Sequence, residues 1–231
     1  MTEAPEPSLQ DDAARAGWLS YVGGLTQDQI AAELAGLGVE IDLDYVARHF
    51  LGRSYPVVMA QIRQEFGLNL PPEFEDHYRQ RLLAAFEADL RIMPHVRGVL
   101  ERLALPYCVA TSSSPARAER SLRMVGLSER VGAGLFTSTM VARGKPAPDL
   151  FLHVANTLGA DPARCLVIED SLNGVRAGLA AGMRVWRFTG GSHLAGRALN
   201  EPDDARAERQ FASFADFFQI DPDVREKVAT R

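Results

Sequence analysis

The chain has 231 residues, 46% hydrophobic and 24% charged, with a formal net charge of −5. That length accommodates one large domain or a core with a smaller companion, and that composition excludes a disordered or fibrous chain. No apolar run approaches a membrane span, and no basic stripe offers a track for a nucleic-acid backbone.

Residues 1–12, MTEAPEPSLQDD, are acidic and Pro-containing, so disorder is expected there, without the basic start and apolar centre of a signal peptide. The acidity is local. Residues 1–35 hold Glu3, Glu6, Asp11, Asp12, Asp28 and Glu33 against Arg15 alone, while the other 196 residues balance 24 acids with 24 bases. A short helix is predicted from Asp12 to Val22, stopped by Gly23-Gly24. Thr26, with Gln29 three residues on, makes a capping box for the helix TQDQIAAELAGL. Helical periodicity continues through Asp44–Phe50, Tyr55–Phe66 and Pro72–Asp89, making residues 26–90 an all-helical block after an atypical segment, 1–25.

After Arg91 helices and strands alternate. Helix Pro94–Ala104 leads to strand Tyr107–Thr111, helix Ala116–Val125 to strand Leu135–Ser138, and helix Pro148–Leu158 to strand Leu166–Glu169. Helix Leu172–Ala181 leads to strand Val185–Phe188, and a strand Gln210–Ser213 with a helix Phe214–Phe218 closes the unit. This order predicts an α/β core over residues 91–220, a parallel sheet covered on both faces, followed by a tail, 221–231. Cys108 and Cys165 lie in strand-like runs and read as buried thiols of a reducing compartment. The histidines (His49, His77, His95, His153, His193) show no metal spacing, and cytoplasm is the default location.

Three strand tips carry chemistry. Cys165–Ile168 runs straight into Glu169 and Asp170, and Ser171, Asn173 and Gly174 then open an alanine-rich helix. Adjacent carboxylates repel, so a proton or a hard cation such as Mg²⁺ must settle them, and a helix N-terminus beside them welcomes phosphate. Asp170 or Ser171 as a plain helix cap is the other reading. Thr111 begins TSSSPAR, an anion cradle or again a cap. Lys145, in RGKPAPD, sits in a loop stiffened by Pro146 and Pro148, where an ammonium could neutralise a phosphoryl oxygen or simply be solvated. In a parallel sheet all three tips fall on one edge.

VATSSS, GKPAPD and VIEDSLNGVRAG, in that order, resemble motifs two, three and four of the haloacid dehalogenase-like hydrolases. Their sugar-phosphate phosphatase and phosphomutase branch, with a helical cap, is the nearest likeness. FLGRS at Phe50–Ser54 resembles that cap, and FTGGSH at Phe188–His193 the ending of 6-phosphogluconate-type phosphatases. The resemblance implies a Rossmann-like core with a helical cap and a Mg²⁺-dependent phosphatase or phosphomutase of a small phosphorylated metabolite. It implies Mg²⁺ on Asp170, with Glu169 contributing directly or through water, the phosphoryl group on Thr111 and Lys145, and Ser112 and Ser113 lining the loop. Asn173 would lie near the metal or phosphate loop, and Arg53 would reach substrate from the cap.

One element departs from the family. Its first motif is an apolar strand ending in Asp-x-Asp-Gly, which supplies the nucleophile and the acid/base, and these 231 residues contain no Asp-x-Asp-Gly. The nearest overlay, WLSYVGGLT, puts Ser20 and Val22 at the two positions. Asp42-Leu43-Asp44 has the spacing without the strand, and Asp221-Pro222-Asp223 reads as a helix cap. ARAGWLSYVGGLTQDQIAAEL instead resembles the opening helices of sugar-sensing bacterial transcriptional regulators, with no recognition helix following. Residues 16–22 are therefore expected either to fill the missing mid-sheet strand or to leave the sheet open and prone to association. Two functions stay open: a phosphatase-family enzyme, impaired or not, and a non-catalytic phosphate-binding or regulatory protein. Neither involves nucleic acid or membrane.

Overall fold

The computed structural model describes residues 30–71, 73–194, 201–215, 217–221 and 224. The expected N-terminal helix, the regulator-like stretch up to residue 29 and the substitute strand 16–22 lie outside them. The last residues of the regulator-like stretch, 30–34, are helical. Helical residues 30–35 continue the helix that the capping box announces.

Helix α1 (Leu43–His49) starts where the Asp42 side chain accepts the Tyr45 N–H at 2.6 Å, so Asp42-Leu43-Asp44 is a helix start and not a strand tip. Helix α2 spans Tyr55–Phe66 as predicted, with Pro56 in its first turn and Gly67 ending it in the left-handed region at φ 64°. Helix α3 (Phe74–Asp89) begins two residues later than expected. Their apolar faces meet in a core of their own, with Leu34, Met59, Ile62, Leu82 and Phe86 almost wholly enclosed. The helical block is thus a separate packing unit.

The second unit runs α4 (Val96–Arg102), β1 (Val109–Thr111), α5 (Pro115–Met124), α6 (Ser128–Val131), β2 (Leu135–Thr137), α7 (Asp149–Thr157), β3 (Leu166–Glu169), α8 (Leu172–Ala180), β4 (Arg184–Phe188), β5 (Arg209–Phe211) and α9 (Phe217–Ile220). Every strand pair is parallel. Alternation along the strands sends Leu166, Ile168, Trp186 and Phe188 to a face shared with Val99 and Leu100 of α4 and the cluster Phe211, Phe214, Phe217. Val167 and Val185 point the other way, onto Phe151 of α7 and Val175 of α8. Both faces are covered, as the alternating texture predicts. No helix among the described residues is long and apolar enough to cross a membrane.

Where one continuous sheet is expected, the described strands form two blocks, β1–β2 and β3–β4–β5. Other differences are local. β1 is two residues shorter than predicted, and α6 has too few residues for periodicity to reveal. The last strand ends at Phe211 because Ser213 Oγ accepts the Ala215 N–H and turns the chain, leaving Phe214 to stack on Phe188 at 4.6 Å.

Arg184 anchors β4 by a two-pronged bond to Glu208, at 2.9 and 2.7 Å, and by a bond to Asp221, whose carboxylate is buried. Hydrogen bonds from Arg184 hold the Glu208 carboxyl below the usual range. The stability this contributes is present above the ordinary glutamate range and lost as pH falls through the folded pKa. Arg184→Met is expected to flatten the acid limb of a Tm-against-pH curve, and an unchanged limb would sever that link. Trp186, fully enclosed, sets a second expectation: Trp186→Ala should cost about 3–5 kcal/mol in urea denaturation.

Candidate functional site

The tips of β1 and β3, the α1–α2 loop and the first turn of α5 enclose a cavity of about 190 Å³. Arg53, Thr111, Ser112, Ser113, Lys145, Glu169 and Asp170 all line it. Seven of the eight residues singled out from sequence therefore converge. Asn173 does not line the cavity: buried at the start of α8, it donates from Nδ2 to the Leu51 carbonyl at 2.8 Å. Ser112 Oγ donates likewise to the Gly52 carbonyl at 2.7 Å. Both side chains thus hold the α1–α2 loop onto the core. Gly52, at φ 78°, suits the seam, because a Cβ there would lie 2.3 Å from Ser171 Oγ.

Lys145 is buried. Its ammonium pairs with Glu169 Oε1, donates to the Ala110 carbonyl at 3.2 Å, and lies 4.8 Å from the centroid of the Phe151 ring. Glu169 Oε2 accepts from the Asp170 N–H at 3.2 Å, the Ser171 N–H at 3.4 Å and Ser171 Oγ at 3.1 Å. Ser171 also caps α8, accepting the Gly174 N–H at 3.0 Å. Asp170 Oδ2 faces the buried His193, whose Nε2 is 3.0 Å away, yet neither ring nitrogen meets hydrogen-bond geometry. His193 belongs to the FTGGSH stretch but stands 23 residues from Asp170, and nothing local in the sequence pairs them.

At the other end of the cavity Thr111 Oγ1 accepts the Ser113 N–H at 3.1 Å, and Ser113 Oγ accepts from Arg117 at 2.8 Å. Arg117 is the residue the sequence reading missed. Its side chain as a whole is only partly buried, but its Nε is sealed from solvent and has no hydrogen-bond partner. Among the described residues no carboxylate pairs with it. Burial pulls its guanidinium below the usual range. Tyr78 of α3 closes the wall, its own hydroxyl pushed up to about 12 by burial. Arg53, bonded to Gln61 at 3.0 Å, also has a sealed and unpartnered Nε.

Mg²⁺ is the cation that the resemblance implies. Among the described residues no three His, Cys, Asp or Glu side chains converge as ligands. Both oxygens of Glu169 are engaged by protein donors, one of them an ammonium. The described donor set does not fit a divalent ion.

The family model described as haloacid dehalogenase-like hydrolase matches residues 16–182. The chain is 24% identical over 157 residues to the 6-phosphogluconate phosphatase of Escherichia coli (strain K12), covering 68% of this chain and 71% of that protein. It is 38% identical over 86 residues to hexitol phosphatase A of the same organism, covering 37% of this chain and 39% of that one. A solved HAD family hydrolase from Deinococcus radiodurans R1, with bound phosphate and sodium, matches with a TM-score of 0.66 at 31% identity over 90% of this chain and 93% of that chain.

Gly174 makes the seat of Glu169 testable. A Cβ there would fall 2.0 to 2.3 Å from the Glu169 carboxylate. Replacing a helical glycine by alanine ordinarily stabilises by roughly 0.5–1 kcal/mol. Here the sign should reverse, because displacing Glu169 strands the buried Lys145, with a loss of about 3 kcal/mol. A Gly174→Ala variant more stable than the parent in urea would mean that Glu169 sits elsewhere.

Proposed function

The chain belongs to the haloacid dehalogenase-like hydrolases, and from that premise we propose that its cavity binds a small sugar phosphate and turns it over slowly. Arg117 carries this reading. A guanidinium whose Nε is sealed from solvent, with no carboxylate beside it among the described residues, is costly, and an anionic ligand removes the cost. It faces the same cavity as Thr111, Ser113, Lys145 and Arg53. Thr111 keeps its hydroxyl proton to donate, and Lys145, with two contacts made, keeps a third N–H for a phosphoryl oxygen. Arg117 and Arg53 each bring an unused Nε–H.

Slow turnover follows from the carboxylates. Phosphoryl transfer by this family's route needs a carboxylate in line with phosphorus and an acid for the leaving group. The two described carboxylates in the cavity are Glu169, held by Lys145, and Asp170, facing His193. The sequence contains no Asp-x-Asp-Gly to supply another pair. Loss of such members typically costs several orders of magnitude, with positioning and charge leaving a residual rate. No step is assigned to Mg²⁺. Sugar phosphates are the ligand class because the related 6-phosphogluconate and hexitol phosphatases are named for such substrates.

The test is calorimetric titration with glucose 6-phosphate and inorganic phosphate, beside a turnover assay on a sugar-phosphate panel. Arg117→Met is expected to weaken binding at least tenfold, the loss of one charge-assisted bond of about 1.5–3 kcal/mol. Equal binding by parent and variant would remove Arg117 from the site. Turnover near one per second by the parent, abolished by Asp170→Asn, would show a nucleophile that this reading omits.

A further inference from the structure

Granted the phosphate-site reading above, on which the ligand half of this rests, we infer that Lys145 is the resident cation of the site. The ammonium stands where a divalent metal is expected, and the cavity takes phosphate without one.

Both oxygens of Glu169 are already engaged. Oε1 holds the ammonium, and Oε2 takes two backbone N–H groups and the Ser171 hydroxyl. Nor can the carboxylate shift toward α8, where even a Cβ on Gly174 would overlap it. A hard cation at Glu169 competes with Lys145 for the same carboxylate. The lysine side chain is 4% exposed, and its remaining contacts are one carbonyl and one ring face, neither of which replaces a carboxylate. Mg²⁺ sheds its waters reluctantly and needs near-octahedral oxygens. Among the described residues Asp170 is the other carboxylate at the cavity, and its Oδ2 is turned to His193. The ammonium already settles the repulsion between the adjacent acids.

The consequence is an inversion. Removing Lys145 should create a metal site rather than destroy one. Mn²⁺, followed by electron paramagnetic resonance, serves as the probe of hard divalent binding on the full chain. The parent is expected to bind Mn²⁺ no tighter than millimolar, and Lys145→Met at least tenfold tighter, as Glu169 is released. Lys145→Gln, whose amide still donates to Ala110, is the second variant should the methionine not fold, with the same expectation. Parent binding in the micromolar range, or variants that bind no better than the parent, would overturn the inference. Calorimetry with inorganic phosphate forms the second arm. Parent affinity should change less than twofold between excess EDTA and 5 mM Mg²⁺, and a tenfold gain with Mg²⁺ would also overturn it. Absence of any phosphate binding by the parent would sink the proposed function and the phosphate half of this inference, while the Mn²⁺ arm would still decide the cation.

Discussion

The ammonium of Lys145 touches two strands at once. It donates to the Ala110 carbonyl of β1 and pairs with Glu169 at the end of β3. A side chain thereby ties the tips of both strands, from a loop that Pro146 and Pro148 stiffen. Much of the site follows from that link. Glu169 is fixed at the foot of α8, which demands a bare Gly174 above it. Ser171, bonded to Glu169, caps the same helix. One ion pair thus sets the end of a strand, the start of a helix and the wall of a cavity.

The cavity sorts its cations by whether protein already satisfies them. Lys145 is neutralised from within, by a carboxylate, a carbonyl and a ring face. Arg117 is met, among the described residues, by a serine hydroxyl, and its Nε by nothing described. Folding alone rarely favours an enclosed charge without an opposite. Residues that break local rules without compensation are those that function tends to explain. The contrast between a settled lysine and an unsettled arginine distinguishes the part of this site that supports structure from the part that meets a ligand.

Much of the fold was legible because its signals are local. The run before Glu169 and the Pro56-to-Gly67 bracket each define an element within one short window, and both are found at the predicted residues. Strand ends were less legible, since the partner's register and side-chain turns such as that at Ser213 decide them. The site's convergence was readable from strand tips on one edge of a parallel arrangement. Its division of labour was not. Arg117 reads as a solvated arginine in a helix's first turn until Tyr78, from a different packing unit, closes over it. Ser112 and Asn173 carry the marks of a phosphate loop and a metal neighbourhood, yet both side chains grip carbonyls of the α1–α2 loop. Such contacts join residues 60 and 122 positions apart, a separation that no sequence window spans.

Those two grips fix the α1–α2 loop against the core. The Leu51 and Gly52 carbonyls are consecutive on the chain, and each is held by a core side chain. Two net contributions of about 0.5–1.5 kcal/mol each make a clasp that thermal motion releases readily. The glycine between them lies against Ser171, so any side chain at residue 52 would wedge the clasp apart.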